Sequence, residues 1–209
     1  MINMIKWMNN MGITVYNVKY RCSIDYLFPI PFLDGIQAIK LVKQLIASSS
    51  SSSAAVPPRI GVMGFSAGGH LAAAIGTLFD DERFQQAGGG LTGVSAKPDF
   101  MILIYPVISM EMEITHVGSR NFLLGSSPNA SLVKLTSPHL NVKKSTPRTL
   151  ILHGGRDKLV KVQNSLMMYG ALLEINVEVD LHVFGTLDHG FSLLDKPVVT
   201  KIFEEWVFR

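Results

Sequence analysis

The chain has 209 residues, 47% of them hydrophobic and 17% charged, which suits one domain with a substantial core and excludes a disordered polymer. Its net charge of +3 comes from 19 Lys plus Arg against 16 Asp plus Glu, scattered so that Lys143-Lys144 is the densest pair, which argues against nucleic acid as a partner. No apolar run reaches membrane-spanning length, so no membrane partner is expected, and the one cysteine, Cys22, excludes an intrachain disulfide.

Cys22 has no His or acidic neighbour at metal-site spacing and reads as a half-buried structural thiol. The opening "MINMIKWMNN" reads as the end of a helix and has no signal-peptide pattern. After a Gly break, "GITVYNVKY" (Gly12 to Tyr20) is rich in β-branched and aromatic residues and predicts a strand. "FLDGIQAIKLVKQLIA" (Phe32 to Ala47) places Ile36, Ile39, Val42 (or Lys43) and Ile46 on one helix face. A Ser-rich stretch, residues 48–58, reads as an expanded surface loop.

Four further strands are predicted: Arg59 to Phe65, Phe100 to Val107, Arg148 to His153 and Glu178 to Phe184. The second and third are nearly continuous apolar runs, as in a parallel sheet covered on both faces. Helices are predicted over Ala67 to Phe79, Val162 to Glu174 and Val199 to Val207. This alternation predicts an open α/β sheet. Residues 109–144 read as a long loop with one or two short helices, forming a substrate rim or partial lid.

"GFSAGG" begins where the Arg59–Phe65 strand ends. Gly64, Ser66 and Gly68 make a G-x-S-x-G pattern, weak by itself and stronger between a strand and a small-residue helix. The glycines on either side would let neighbouring backbone approach a strained turn. Ser66 is then a nucleophile, and Ala67 turns its N–H toward a developing oxyanion; the plainer alternative is an N-cap serine. A hydroxyl needs a base, and the base an orienting group. Asp157 in "LILHGGRDKLV" and His189 in "VFGTLDHGF" follow later strands, where open α/β sheets place their sites. Asp157 has a rival reading as a turn or helix-start acid, and His189 as a surface histidine. Gly190 permits a tight bend and Phe191 an anchor into the core. Asp188 reads as a solvent or loop-bracing group. His70 is expected beneath the turn and His153 as a loop brace; His116 and His139 lie in the long loop without a clear partner, and His182 alternates inside the last strand.

"GVMGFSAGGHLAA", "SPHL", "TLILHGGRDKLVKVQNSLMMYGAL" and "VDLHVFGTLDHGF" resemble the α/β-hydrolase esterases of the acetyl-xylan and carbohydrate esterase group, close to the BD-FAE and hormone-sensitive-lipase-like families. "GITVYNVKYR" and "DGIQAIKLVK" match the strand and helix before the nucleophile, so the resemblance covers nearly the whole chain. It implies a three-layer α/β-hydrolase fold over residues 1–209, with Ser66 as nucleophile, Asp157 as acid, His189 as base and Ala67 as oxyanion donor. It implies no cofactor or metal, and short carboxylic esters as substrates, chiefly acetyl groups on carbohydrates such as xylan fragments. A peptidase of the prolyl-oligopeptidase type and a silent hydrolase-like fragment are the alternatives.

These enzymes open with further strands and a Gly-rich HGGG or PGGG loop that supplies a second oxyanion N–H. No such segment precedes Gly12, and Gly88 to Gly90 fall after the nucleophile helix. An N-terminally incomplete fold is therefore expected, with bare strand edges that favour homo-oligomers. The expected compartment is the cytoplasm if the chain starts at Met1, or secreted or periplasmic if a segment precedes it.

Overall fold

The computed structural model describes residues 2–22, 25–49, 58–85, 91 and 93–209. Among these residues the sheet has four strands, β1 (Gly61–Phe65), β2 (Phe100–Ile104), β3 (Arg148–Gly154) and β4 (Val179–Phe184), which pair in chain order and all in parallel. Register sets Phe65 beside Ile104 and Ile104 beside Leu152, so the first three strands reach the same level at their carboxyl ends.

The inner strands are buried on both faces, as their unbroken apolar runs require. Period-2 alternation divides them: Ile102, Ile104, Leu150 and Leu152 face one layer, and Met101, Leu103 and Ile151 the other. The first layer holds α1 (Ile2–Asn10) and α8 (Pro197–Val207), which bury Met4, Met8, Val199, Phe203 and Trp206. The Trp7 ring lies 5.1 Å from that of Phe203, and Trp206 carries the Arg148 guanidinium 4.2 Å from its ring centre. The Trp206 indole N–H donates to Asp180 at 2.8 Å. Each large apolar side chain buried in this way contributes roughly 1.5–3 kcal/mol.

The opposite layer holds α2 (Ile30–Ser49), α3 (Ala67–Leu78) and α7 (Gln163–Glu174), with α2 packed on α3 through Phe32, Ile36 and Ile75. Small residues let α3 lie close to the sheet: Ala72 and Ala73 are buried, and a Cβ at Gly76 would run into Met101. A short α4 (Glu82–Gln85) follows α3. The crossover from β2 to β3 carries α5 (Val117–Leu124), α6 (Ala130–Leu135) and a 3-10 turn at Pro138–Leu140. It is tied down by buried Asn164 of α7, whose Oδ1 accepts from the N–H groups of Ile108 and Ser109.

The three-layer α/β fold is therefore the one expected, and the described layers run without a break from β1 to β4. Four local expectations are corrected. Gly12 to Tyr20 is not a strand: its backbone is outside the sheet, with Ile13 and Val15 against the α1–α8 layer and Tyr16 and Val18 exposed. β-Branched residues favour extended backbone, but a ladder also needs a neighbour's N–H and C=O groups. Cys22, at the end of that segment, is exposed and not half-buried. The Phe100 strand stops at Ile104, because Tyr105 turns to a positive φ of 37° and Pro106 has no N–H to donate. Finally, α2 runs through Ser48 and Ser49. Residues 50–57 of the expected Ser-rich loop lie outside the described residues, as do Gly88 to Gly90. Among the described residues no helix is long and apolar enough to cross a membrane.

Candidate active site

Ser66 is the residue between β1 and α3, with φ 52° and ψ −118°, a conformation rare for a side chain with a Cβ. Its neighbours hold it there. The Ser66 N–H donates to the Ile104 carbonyl at 3.0 Å, and the Ser66 carbonyl accepts from Val107 at 3.1 Å and His70 at 3.2 Å. Gly64 is required, since a Cβ there would collide with the Gly68 carbonyl oxygen. Gly68 itself meets nothing within 4 Å, and the tightly packed glycine of the helix start is Gly69, against Pro106. The expectation that both motif glycines relieve crowding holds only for Gly64.

Although Ser66 stands at the N-cap of α3, its side chain makes no cap hydrogen bond. Its Oγ lies 3.0 Å from His189 Nε2. On the far side of that ring, His189 Nδ1 lies 2.7 Å from Asp157 Oδ2. A carboxylate only accepts, so Nδ1 carries the proton and Nε2 is free to accept the serine's. The other Asp157 oxygen, Oδ1, accepts from the backbone N–H groups of Leu159 (2.9 Å) and Val160 (2.8 Å). The Asp157 side chain is fully buried while His189 retains 19% exposure, so the ring is open to solvent and the carboxylate is not.

Glycine packing brings the two loops together. A Cβ at Gly154 would strike the Leu187 carbonyl oxygen, and one at Gly155 would lie 2.9 Å from Gly185 Cα. The turn after β3 is thus pressed against the turn after β4, which sets Asp157 beside His189. Gly190 takes φ 84°, and the buried Phe191 ring reaches Tyr105 (4.9 Å) and Phe184 (5.9 Å).

Two neighbours were not assigned to the site from sequence. The Tyr105 ring lies 4.7 Å from the His189 ring, centre to centre. Burial, with the charges of Asp195 and Asp157, pushes its hydroxyl pKa up to about 12, so it stays protonated. His153 Nε2 lies 3.3 Å from Asp157 Oδ2. The four-residue spacing of His153 and Asp157 across two glycines was the available signal; nothing in the sequence marks the φ of Tyr105.

The remaining candidates fall elsewhere. His70 is buried beneath the turn with Nε2 2.7 Å from the Thr136 carbonyl. The ring of His116 caps α5 by accepting from Ser119 N–H. His139 is buried in the crossover, and His182 stacks on Phe184. Asp188 is exposed. Ala67 opens α3, where the backbone N–H has no partner within the helix. Together the groups can pass a proton from a hydroxyl to a ring whose resulting charge is met by a buried carboxylate.

Residues 1–172 match the BD-FAE family. The chain is 32% identical over 190 residues to the acetylxylan esterase of Xylanibacter ruminicola, covering 89% of this chain and 36% of that protein. It is 28% identical to endo-1,4-beta-xylanase B of Butyrivibrio fibrisolvens, covering 88% of this chain and 28% of that one. The chain thus spans about a third of the length of these curated relatives. Among solved structures, the acetyl ester-xyloside bifunctional hydrolase from Caldicellulosiruptor lactoaceticus superposes with a TM-score of 0.87 at 38% identity. That match covers 99% of this chain and 75% of the other.

Proposed function

The chain belongs to the BD-FAE family, and from that premise we propose that it is a serine esterase that removes short acyl groups, acetyl foremost, from carbohydrates such as xylan fragments. The observation that carries this reading is the hydrogen-bonded line from Ser66 through His189 to Asp157, at 3.0 and 2.7 Å. The acetyl preference is supported by the names of the relatives, one an acetylxylan esterase and one an acetyl ester-xyloside hydrolase.

In the proposed reaction Ser66 Oγ attacks the ester carbonyl carbon while its proton passes to His189 Nε2. Asp157 keeps the ring oriented and offsets its positive charge. The carbonyl oxygen, now negative, faces the Ala67 N–H at the start of α3. The carbon–oxygen bond to the sugar breaks as Nε2 returns the proton to the leaving alcohol. Water then attacks the acyl-serine, gives its proton to Nε2, and the acid departs as Ser66 regains its hydrogen.

Ala67 is the oxyanion donor we assign among the described residues. The family resemblance implies a second such donor from a Gly-rich loop. The deciding experiment compares p-nitrophenyl acetate with the octanoate, and acetylated with deacetylated xylo-oligosaccharide. Acetate should be the better ester and acetic acid should be released from the acetylated sugar. Preference for octanoate, or full acetate turnover by Ser66→Ala, would overturn the assignment.

A further inference from the structure

We propose that His153 is a positioning residue for the acid: held as a single tautomer by Ser165, it fixes Asp157 and thereby sets the basicity of His189. This rests on the reading that Asp157 and His189 serve Ser66. His153 is 0% exposed at the end of β3, a site where an uncharged imidazole must satisfy both ring nitrogens. It does so on opposite sides. Nδ1 lies 2.7 Å from Ser165 Oγ, and Nε2 lies 2.9 Å from the Val160 carbonyl oxygen.

The protons follow from the partners. A carbonyl oxygen only accepts, so Nε2 carries the ring hydrogen and Nδ1, in the neutral ring, accepts from the Ser165 hydroxyl. Burial keeps the ring neutral by lowering its proton affinity, an effect larger than the opposing pull of Asp157. Ser165 is itself fully buried on α7, so the donor is held in place.

The consequence falls on Asp157. His153 Nε2, whose N–H binds Val160, also lies 3.3 Å from Asp157 Oδ2, the oxygen that accepts from His189 Nδ1. Val160 meanwhile gives its own N–H to Asp157 Oδ1 at 2.8 Å. One imidazole therefore fixes the Val160 carbonyl, and Val160 in turn fixes the carboxylate. The same N–H dipole draws negative charge from Oδ2, which tempers the pull of Asp157 on the His189 proton. Among the described residues, the titratable groups facing His189 are His153 at the end of β3, Asp157 after it and Tyr105 after β2.

Three variants test this: His153→Leu, His153→Gln, which returns an N–H donor, and Ser165→Ala, which keeps the imidazole and removes only the proton donor to Nδ1. His153→Leu should lower kcat on p-nitrophenyl acetate by about 10–100-fold with KM within about twofold. The acid limb of the kcat/KM profile should move to higher pH, because Asp157 without the His153 N–H beside it holds the His189 proton more strongly. Gln should recover part of the loss, and Ser165→Ala should lower kcat about threefold with the same direction of shift. Nuclear magnetic resonance titration of the His189 ring protons should give the same upward shift without turnover. Folded variants with an unmoved His189 titration would overturn the inference, even if kcat fell, since a plain packing defect does that. Retained turnover by Ser66→Ala would instead remove the underlying reading. An inactive Ser66→Ala beside an unchanged His153→Leu removes only the positioning role.

Discussion

Ser66 and Asp157 both project from the carboxyl end of a strand, and the molecule holds them by opposite means. Ser66 is held by its main chain: its φ of 52° is locked by bonds to Ile104 and Val107, and the Oγ itself is left to His189. Asp157 is held by its side chain, which accepts from Leu159, Val160 and His189 and lies beside His153. In the proposed reaction the nucleophile must change partners, so its rigidity belongs in the backbone. An orienting acid keeps its partners throughout, so its rigidity can be made of hydrogen bonds. Positive φ at a residue with a Cβ costs about 1–3 kcal/mol, which the surrounding β1–α3 packing offsets.

The comparison breaks most completely at the three groups proposed to react. Ser66→Ala, His189→Ala and Asp157→Asn should each lower kcat by roughly 10³-fold or more, and Ser66→Ala with His189→Ala should lose little beyond either alone. Steady-state kinetics with circular dichroism as a check on folding would measure this; additive losses would mean that the residues do not act as one unit. Next come the glycines that frame Ser66. Gly64→Ala should lower stability by about 3 kcal/mol, because its Cβ meets backbone that cannot give way. Gly68→Ala should raise it by up to about 1 kcal/mol, since it adds a better helix former where nothing is crowded. Equal shifts in Tm would refute the asymmetry.

His70 sharpens the same contrast from below the turn. Burial pushes its pKa from 6.5 down to about 4, so the folded chain holds it neutral where the unfolded chain begins to protonate it. The unfolded state then binds more protons, and stability falls as pH drops from 6.5 toward 4, by up to ~3 kcal/mol from this residue. Burial shifts His139 and His153 in the same direction. Urea denaturation at several pH values should therefore be steep for the wild type and flatter, not flat, for His70→Gln. A variant as pH-sensitive as the wild type would show that the pH dependence comes from other groups. The smallest effect is expected at Asp188, adjacent to the base in sequence but exposed. Asp188→Asn should cost roughly tenfold or less in kcat.

The parts of this design legible in sequence are those carried by local pattern. The β1, β3 and β4 strands and helices α3, α7 and α8 follow from apolar runs and their punctuation, and the order Ser66, Asp157, His189 follows from where those runs end. Three features are not settled by local pattern. Gly12 to Tyr20 has the composition of a strand, but pairing depends on what lies beside it. Gly64 and Gly68 are equivalent letters in a motif, and only the fold puts the Gly68 carbonyl against one and open space over the other. His153 reads as a loop brace, and it is one; that the brace also lies against the carboxylate depends on how the chain turns at Gly154 and Gly155.

The two tryptophans make the molecule its own optical reporter, for one property only. Trp7 and Trp206 both belong to the α1–α8 layer, and the Trp206 ring lies beside Phe100 and Arg148, which begin β2 and β3. Ser66 follows the carboxyl end of β1, about 16 Å along that five-residue strand from the edge of the sheet where β1 to β3 begin. Intrinsic emission thus registers whether the two terminal helices are seated on the sheet, and is blind to what occupies the serine. A fluorescence melt and an acylation assay on one sample would read two independent ends of the same sheet.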